Sequence, residues 1–400
     1  MSSKIFVTGA TGTTGNATVR ALRAAGVDVV AGVHSVEKAG PLRVLGAEVR
    51  QISFSDVAGM TEAMRGSTGL FLVTPVTREM EKLTAGIVEA AKAAGITRVV
   101  KLSGLDVDSQ PGFTLGHWHR AAERVIEASG LSWTFLRPNS FMQNFLGNAG
   151  SIKGQGTFDN AFGTSPVSFI DARDIGEVAA QVLTTEGHEG KIYNLTGPQG
   201  VSIKEIEQVF SKAIGKTVGS TTVTVDQLRR ALLDYGMPEL EADATAELVG
   251  LSAAGTAASV SPDAERLLGR PPRNFIQFVN DFGAAFGKEL TTLDPGAEQV
   301  TLINTYTVAP DRAEELVEFL TRSTEETLRY VPGFISANLH VSLDGTQVVN
   351  YAQWANREAP AAARANPRVA ALMQEQLQIA QSFTPVPYRL RRSFAGLAPR

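Results

Sequence analysis

The spacing of glycines near the N-terminus is the feature that most limits what this chain can fold into. Residues 8–15 read Thr-Gly-Ala-Thr-Gly-Thr-Thr-Gly and directly follow the apolar run Ile5-Phe6-Val7. A helical pattern then runs to Gly26, and a second apolar run begins at Val27. Strand, glycine turn, helix and strand in this order predict a βαβ unit that binds a nucleotide, because glycines let a pyrophosphate approach the backbone at the helix N-terminus.

Strand and helix patterns continue to alternate beyond this unit. Strand patterns cover residues 47–52, 69–74, 97–102 and 133–136, and helical patterns cover 60–65, 79–94 and 117–129. This alternation predicts a doubly wound parallel sheet of the Rossmann type, whose ligand lies at the carboxyl ends of the strands. Ser202 and Glu205 form a capping-box sequence that predicts one further helix. We expect the first domain to cover residues 1–287.

Composition and charge exclude several classes of function. The chain has 400 residues and a net charge of −4, so charge does not favour binding to nucleic acid or to an anionic membrane. It has no cysteine, which excludes disulfides, thiolate metal sites and cysteine catalysis. We find no apolar run long enough to span a membrane, and the first strand begins too early for a signal peptide. The expected location is the cytoplasm.

The glycine turn and the strand ends supply the candidate cofactor residues. NAD-binding sites place an acidic residue at the end of the second strand, whereas this chain has Gly32-Val33-His34-Ser35 and no acid before Glu37. A 2′-phosphate is compatible with His34, Ser35 and Lys38, so we predict NADP(H) as the cofactor. The full candidate set is Gly9, Thr11, Gly12, Thr13, Thr14, Gly15, His34, Ser35, Lys38 and Thr74.

The candidate catalytic residues of this domain follow the fifth strand. A short-chain dehydrogenase normally places a serine there and a Tyr-x-x-x-Lys pair on the next helix, where the lysine lowers the pKa of the tyrosine. Ser103 occupies the serine position, but the next helix carries His119 and Glu123 instead of the pair. These two residues share a helix face and form either a proton relay or a structural pair. His117 and His119 lie on different faces, so we expect no metal site.

Several motifs in this region resemble those of the NmrA-like branch of atypical short-chain dehydrogenases. They lie at residues 7–15, 71–75, 99–103, 137–139, 141–144, 169–174, 195–198 and 269–272. The resemblance implies NADP(H) binding, and it covers nearly all of residues 1–287. The family contains quinone reductases and also redox-sensing regulators without catalysis, and its members commonly carry His and Glu in place of Tyr-x-x-x-Lys. Ser53 occupies the position after the third strand where family members often have an aspartate that contacts the adenine end of the cofactor.

A second domain follows a short linker. Residues 288–297 contain the turn sequence Asp294-Pro295-Gly296, and the pattern changes from residue 298 onward. Strand patterns at 299–308, 333–342, 347–354 and 387–394 alternate with helical patterns at 311–330 and 359–382, the latter broken at Pro367. The order β-α-β-β-α-β predicts a ferredoxin-like α+β domain over residues 298–397. Its open sheet predicts a homodimer formed through this domain.

Polar residues in two strands of this domain identify a candidate site. The period of two places Asn350, Ala352 and Trp354 on one face of their strand. Asn304 is a polar residue in an otherwise apolar strand, where it needs a partner and is therefore either structural or directed at a ligand. An amide can orient a carbonyl or dioxygen, and an indole can stack on a planar aromatic ring.

The C-terminal segment resembles the antibiotic biosynthesis monooxygenase family. The resemblance covers about 299–395 and is carried by residues 331–340, 342–345 and 349–354. Family members include small enzymes that oxidise anthrones and hydroquinones with dioxygen and without metal or flavin, which implies catalytic roles for Asn304, Asn350 and Trp354. Some also use a tyrosine and an arginine beyond the tryptophan. The next tyrosine here is Tyr388, and the candidate arginines are Arg364, Arg368 and Arg389.

Together, the two halves predict a bifunctional redox enzyme that acts on polycyclic aromatic quinones. The first domain would reduce a quinone with NADPH, and the second would hydroxylate the resulting hydroquinone, or an anthrone, with dioxygen. Two alternatives remain open from the sequence. The first domain is a nucleotide sensor without catalysis, or the second domain is a dimerisation module of an NADPH reductase.

Overall fold

The computed structural model describes residues 4–287 and 299–389. Contacts divide the chain into two compact units. The first contains the residues up to Val36 and Ala47–Glu289, and the second contains Glu37–Gly46 together with the residues from Leu290 onward. Each unit is described by itself below. The predicted linker 288–297 lies outside the described residues. In the described part of the chain, no helix combines the length and the apolarity that a membrane span requires.

The N-terminal unit is built on a parallel sheet. Its strands are β1 (Lys4–Val7), β2 (Asp28–Val33), β3 (Glu48–Gln51), β4 (Gly69–Leu72), β5 (Arg98–Leu102), β6 (Ser132–Pro138) and β8 (Lys191–Leu195). A separate two-stranded sheet is formed by β7 (Thr157–Asn160) and β9 (Gly219–Thr222). The main sheet has the order β3-β2-β1-β4-β5-β6-β8, and all its pairs are parallel. The predicted doubly wound sheet is confirmed. Strand order reverses between β1 and β4, which is where ligands bind in such sheets.

The helices in residues 4–287 begin and end where the sequence provides caps. Gly95 ends one long helix in the left-handed region, with a φ of 88°. The capping box predicted at Ser202 is confirmed, because Ser202 and Glu205 each accept the other's backbone N–H. The helices are α1 (Thr13–Ala24), α2 (Gly40–Val44), α3 (Val57–Met64), α4 (Met80–Ala94), α5 (Thr114–Glu127), α6 (Ala149–Gln155), α7 (Ala172–Thr184), α8 (Ile203–Ile214), α9 (Val225–Asp234), α10 (Glu239–Ala253), α11 (Asp263–Leu268) and α12 (Phe275–Asp281).

The C-terminal unit has the predicted order of elements. It contains β10 (Val300–Thr307), α13 (Ala313–Glu326), β11 (Phe334–Val341), β12 (Gln347–Trp354), α14 (Ala359–Ala365), α15 (Pro367–Glu375) and β13 (Ser382–Tyr388). The four strands form an antiparallel sheet with the order β11-β12-β10-β13. This is the ferredoxin-like arrangement expected from the sequence.

The position predicted for the last strand is wrong. The sequence pattern places it at 387–394 after a helix that extends to residue 382, whereas the structure ends α15 at Glu375 and forms β13 over Ser382–Tyr388. Pro385 and Pro387 suggest an interruption, because proline cannot donate to a strand ladder. However, among the described strands β13 lies at the edge and pairs with β10 alone, and an edge tolerates prolines whose missing N–H would face away from the sheet. Residues 390–394 lie outside the described part of the chain.

Candidate active sites

The glycine turn is fixed by the strands on both sides of it. The Thr8 hydroxyl donates to the Val73 carbonyl over 2.9 Å and accepts the Val73 N–H over 2.8 Å, which joins the turn to the end of β4. The Ala10 N–H donates to the Gly32 carbonyl at the end of β2 over 3.3 Å. The turn therefore lies where the order of the strands reverses.

Each position of the turn favours glycine for a different structural reason. Gly9 has a φ of 58°, in the region that disfavours side chains. A Cβ at Gly15 would lie 2.2 Å from the Gly9 carbonyl oxygen, so the close approach of α1 to the turn requires glycine. Gly12 is exposed and caps α1 without a side-chain hydrogen bond, which leaves the first amides of the helix open to an anion. The turn thus fits a dinucleotide pyrophosphate.

Thr11, Thr13, Thr14, Thr74, His34 and Ser35 lie at or near this edge of the sheet. Thr11 and Thr13 are exposed at the turn, and Thr14 is buried. Thr74 follows β4, and its buried Oγ1 has no hydrogen-bond partner in the described residues. His34 and Ser35 follow β2, where His34 is exposed. Lys38 is exposed on the short 3-10 helix Glu37–Ala39, and its role stays a prediction.

A cavity of about 570 Å³ lies in the N-terminal unit. Its wall includes Ser103 and His119, together with apolar side chains such as Phe113, Leu248 and Leu251. Asp106 also lines it, and burial raises the pKa of the Asp106 carboxyl. The structure therefore brings the two predicted catalytic residues of this domain to one cavity. An apolar cavity with a few convergent polar groups is the usual form of a small-molecule site.

His119 and Glu123 have separate partners. Glu123 is fully buried and accepts hydrogen bonds from Arg137 Nε over 3.0 Å and Arg137 Nη2 over 2.6 Å. Nδ1 of His119 lies instead 3.1 Å from Nζ of Lys101. The His119–Glu123 relay considered from the sequence is therefore not what the structure forms. Glu123 is part of a structural ion pair.

Lys101 is the residue of this site that sequence reasoning missed. Its side chain is fully buried in β5, and Nζ also donates to the Leu102 carbonyl over 2.9 Å. Burial lowers the pKa of Lys101 to about 8, although the carboxylate of Glu123 raises it. The same burial, with Lys101 and Arg137 nearby, holds the pKa of His119 well below its ordinary value. The sequence does contain an indication of this residue, because Lys101 is a charged residue within the buried strand Arg98–Leu102, where charges are rare unless they have a partner.

The C-terminal unit encloses a second, smaller cavity of about 80 Å³ between its sheet and its helices. Asn304 and Asn350 line it from directly opposite positions of β10 and β12, and Trp354 lies on the same face of β12. All three side chains are at least nine-tenths buried. The remaining wall is mostly apolar and includes Phe319, Leu328, Leu372, Met373 and Phe383.

Three polar atoms in this small cavity have no hydrogen-bond partner in the described residues. They are Oδ1 of Asn304, Oδ1 of Asn350 and Nε1 of Trp354. Buried polar groups in native proteins are nearly always paired, and an unpaired one costs about 1–3 kcal/mol. Two hydrogen-bond acceptors and one donor therefore converge on one cavity with their hydrogen-bonding capacity unused, an arrangement compatible with a polar ligand.

The candidate tyrosine and arginines are now placed. Tyr388 is 49% exposed on β13 and does not line the cavity, whereas Tyr306 does, and its hydroxyl donates to Gln376 Oε1 over 3.0 Å. Burial raises the pKa of Tyr306. Arg364 is exposed and lines the cavity, while Arg368 donates to the Thr327 hydroxyl over 3.2 Å. The third candidate, Arg389, is exposed after β13.

Comparison with known families accounts for both units. The model of the NmrA-like family matches residues 1–267. An NAD(P)H azoreductase from Xenophilus azovorans is 36% identical over 283 residues, which cover 71% of this chain and 99% of that protein. The chain belongs to the NmrA-like family. The NmrA-like domain also matches the structure of an NADPH-dependent quinone oxidoreductase from Escherichia coli in complex with NADPH, with a TM-score of 0.62 and 28% identity over 70% of this chain and 99% of that one.

The C-terminal unit is an antibiotic biosynthesis monooxygenase domain, here called the ABM domain. The model of that family matches residues 299–375. Tetracenomycin-F1 monooxygenase from Streptomyces glaucescens is 44% identical over 80 residues, which cover 20% of this chain and 71% of that protein. The chain therefore joins an NmrA-like domain to an ABM domain, as the motifs of the sequence indicate. No group of three or more His, Cys, Asp or Glu residues among those described is placed to hold a metal ion.

Proposed function

We propose that the chain is a bifunctional redox enzyme of aromatic quinones. Its NmrA-like domain reduces a quinone with NADPH, and its ABM domain hydroxylates the hydroquinone, or a related anthrone, with dioxygen. The relatives of the first domain include an azoreductase and a quinone oxidoreductase, and a relative of the second is a tetracenomycin monooxygenase. The single observation that carries the proposal is the convergence of three unpaired polar atoms in the ABM cavity.

The cofactor assignment rests on the glycine turn. Gly12 would allow the pyrophosphate to reach the open amides of α1, and Thr74 Oγ1 would find a partner in the bound nucleotide. The end of β2 offers His34 and Ser35 without a carboxylate in residues 32–36, which favours the 2′-phosphate of NADP(H). When bound, NADPH supplies a hydride to the substrate in the neighbouring cavity.

The two proposed reactions balance without a further oxidant or reductant. Quinone, NADPH and a proton give hydroquinone and NADP⁺. Hydroquinone and dioxygen then give a hydroxylated quinone and water, with one oxygen atom in the new C–O bond and the other in water. The electron-rich hydroquinone is itself the electron source for dioxygen. We therefore propose that the ABM domain needs neither metal nor flavin.

Within the ABM cavity the residues act by position. Trp354 Nε1 can donate to a developing anionic oxygen, and Arg364 supplies positive charge where the wall is exposed. Oδ1 of Asn304 and Oδ1 of Asn350 can accept from a phenolic hydroxyl and hold the ring for attack. Preorganised groups of this kind typically contribute about 10²–10³ in rate.

The size of the ABM cavity sets a requirement on binding. Its volume of about 80 Å³ is smaller than the ~150 Å³ of an engineered cavity that admits benzene. A polycyclic substrate must therefore displace side chains of the wall. Met373 of α15 and Arg364 of α14 are unbranched and flexible, so the opening is expected between these two short helices and the sheet.

We also propose that the ABM domain forms the homodimer. The face of its sheet opposite the cavity presents alternate residues such as Ile303, Val349, Tyr351, Thr384 and Val386. No Asp, Glu, Lys or Arg lies on this face within residues 300–307, 334–341, 347–354 and 382–388. An uncharged sheet face is suited to burial against a second copy. Size-exclusion chromatography with light scattering checks the dimer.

The proposed function is tested on the full chain in two steps. Under nitrogen, NADPH and a polycyclic quinone should give hydroquinone, and the reaction should stop there. Admission of air should then convert the hydroquinone to a hydroxylated quinone, with or without a metal chelator. Failure to oxidise NADPH with any of a broad panel of quinones would contradict the reductase half. Air oxidation at the rate seen without protein would contradict the oxygenase half.

The structure weighs against the two simpler alternatives. The serine and the histidine at the wall of the 570 Å³ cavity support a reductase rather than a nucleotide sensor. A dimerisation module gains nothing from three unpaired polar atoms in its interior, because apolar residues there would be more stable. Both observations favour two catalytic domains.

A further inference from the structure

A buried lysine lies behind the wall of the NmrA-like cavity, although the helix motif of this domain lacks one. Helix α5 carries neither the tyrosine nor the lysine of the usual pair, yet Lys101 reaches His119 from β5, with 3.1 Å between Nζ and Nδ1. Lys101 is fully buried, and its side chain bonds only to His119 and to the Leu102 carbonyl among the described residues. A buried ammonium is costly, so its retention beside a histidine at a cavity wall calls for a reason.

The geometry determines which nitrogen of His119 carries the proton. An ammonium donates hydrogen bonds and accepts none, so Nδ1 of His119 must accept from Lys101. The imidazole is neutral, because burial and the nearby cations Lys101 and Arg137 lower the pKa of His119. The proton of the neutral ring is therefore on Nε2. His119 lines the cavity, so a substrate there meets an N–H donor.

We propose that Lys101 is a positioning residue that holds His119 in the Nε2–H form and supplies, through this ring, the proton of quinone reduction. This inference rests on the proposed reductase function. The substrate oxygen gains an electron pair from the hydride and takes the Nε2 proton, while Nδ1 takes a proton from Nζ of Lys101. The ring stays neutral, Lys101 becomes a neutral amine, and solvent later restores its proton.

The charges around the pair are consistent with this role. A Lys101 pKa of about 8 places the proton donor close to neutral pH, where transfer in either direction is easy. The other charged groups that act on the pair are Glu123 and Arg137, and Asp106 lines the same cavity as His119. Glu123 and Arg137 neutralise each other in a buried ion pair, so Lys101 is the group that gives up a proton.

The test uses the full chain with Lys101→Met and a matched control, Lys82→Met, at an exposed lysine of α4. Nitrogen-15 NMR of the ligand-free protein reports the tautomer of each histidine, and His119→Gln identifies the resonance among the five histidines. We expect His119 as the neutral Nε2–H form in the wild type and in Lys82→Met. In Lys101→Met the ring should populate both tautomers, and its pKa should rise.

Activity provides the second measurement. In Lys101→Met, kcat for anaerobic quinone reduction should fall by about 10²-fold. KM should stay within about twofold, because Lys101 lies behind His119 and away from the substrate. The wild-type kcat should decrease above about pH 8 as Lys101 loses its proton, and this decrease should vanish in Lys101→Met.

The outcomes separate this inference from the proposed function. An Nδ1–H ring in the wild type, or an unchanged tautomer and pH profile in Lys101→Met, would overturn the role of Lys101 even if quinone is reduced. A wild-type protein that shows the Nε2–H form but reduces no quinone would overturn the proton supply together with the reductase function. Loss of folding in Lys101→Met is not expected, since methionine replaces a buried charge with an apolar chain of similar length.

Discussion

Replacement of Asn350 by leucine should make the ABM domain more stable and less active. Oδ1 of Asn350 is buried in the cavity wall without a partner among the described residues. Leucine has the same branched shape and no polar atom, and the cavity can accept its larger volume. Removing an unpaired buried carbonyl recovers about 1–3 kcal/mol. We therefore expect Asn350→Leu to raise the free energy of unfolding by about 1–2 kcal/mol, which raises the melting midpoint of a domain of this size by about 4–8 °C per kcal/mol.

A control for this variant lies on the same strand. Gln353 points to the opposite face of β12, is also buried, and accepts a hydrogen bond from the Ser336 hydroxyl over 2.9 Å. Gln353→Met should therefore lower the free energy of unfolding by about 0.5–1.5 kcal/mol, because it removes the hydrogen bond to the half-buried Ser336 hydroxyl. The two substitutions are thus expected to change stability in opposite directions.

Differential scanning calorimetry of the full chain provides the assay. NADPH should shift only the transition of the NmrA-like domain, which identifies the other transition as that of the ABM domain. Oxygen consumption with a polycyclic hydroquinone should fall by about 10²–10³ in Asn350→Leu. If Asn350→Leu lowers the midpoint as Gln353→Met does, the amide is structural and the argument from unpaired atoms is wrong.

Three further predictions concern other positions. Gly12→Leu should abolish NADPH binding in a fluorescence titration. Without nucleotide it should lower the melting midpoint less than Gly15→Ala does, because a Cβ would lie 3.2 Å from the Gly9 carbonyl oxygen at position 12 but 2.2 Å from it at position 15. The pKa of Lys101 is lower in the folded protein than its unfolded value of about 10.5, so the unfolded chain binds the proton more strongly. The buried charge therefore lowers the free energy of unfolding by about 3 kcal/mol below pH 8, and this loss vanishes by about pH 10.5. Urea unfolding should therefore show Lys101→Met to be more stable than the wild type at pH 7 and the difference to shrink at pH 10. Tyr306→Phe should lower ABM stability by about 0.5–1.5 kcal/mol through loss of the bond to Gln376, measured by calorimetry.

The sequence predicts the fold best where one local rule acts alone. The glycine turn, the alternation of strands and helices, and the capping box at Ser202 each depend on neighbours in the chain, and the structure has them as predicted. The prediction of the last strand is wrong because the position of this strand depends on its pairing within the sheet. Pro385 and Pro387 lower the local strand propensity, but β13 lies at an edge where proline is tolerated.

The candidate sites show the same division. The period of two correctly places Asn350 and Trp354 on one face, and it would also have placed Tyr306 beside Asn304. The partners of His119 could not be predicted in this way. His119 contacts Lys101, which lies on β5 rather than on its own helix. Glu123, one helical turn from His119, instead accepts hydrogen bonds from Arg137 of β6. Pairing across elements depends on tertiary packing, which periodicity within one element does not report.

The central claim is that one chain reduces a quinone and then oxygenates the product. The most direct measurement supplies the full chain with NADPH, a polycyclic quinone and ¹⁸O-labelled dioxygen, and follows the products by mass spectrometry. We predict one labelled oxygen atom in the hydroxylated quinone and consumption of one NADPH for each product molecule. Asn350→Leu should consume NADPH under nitrogen at the wild-type rate but form little labelled product in air. An unlabelled product, or equal labelling in Asn350→Leu, would contradict the claim.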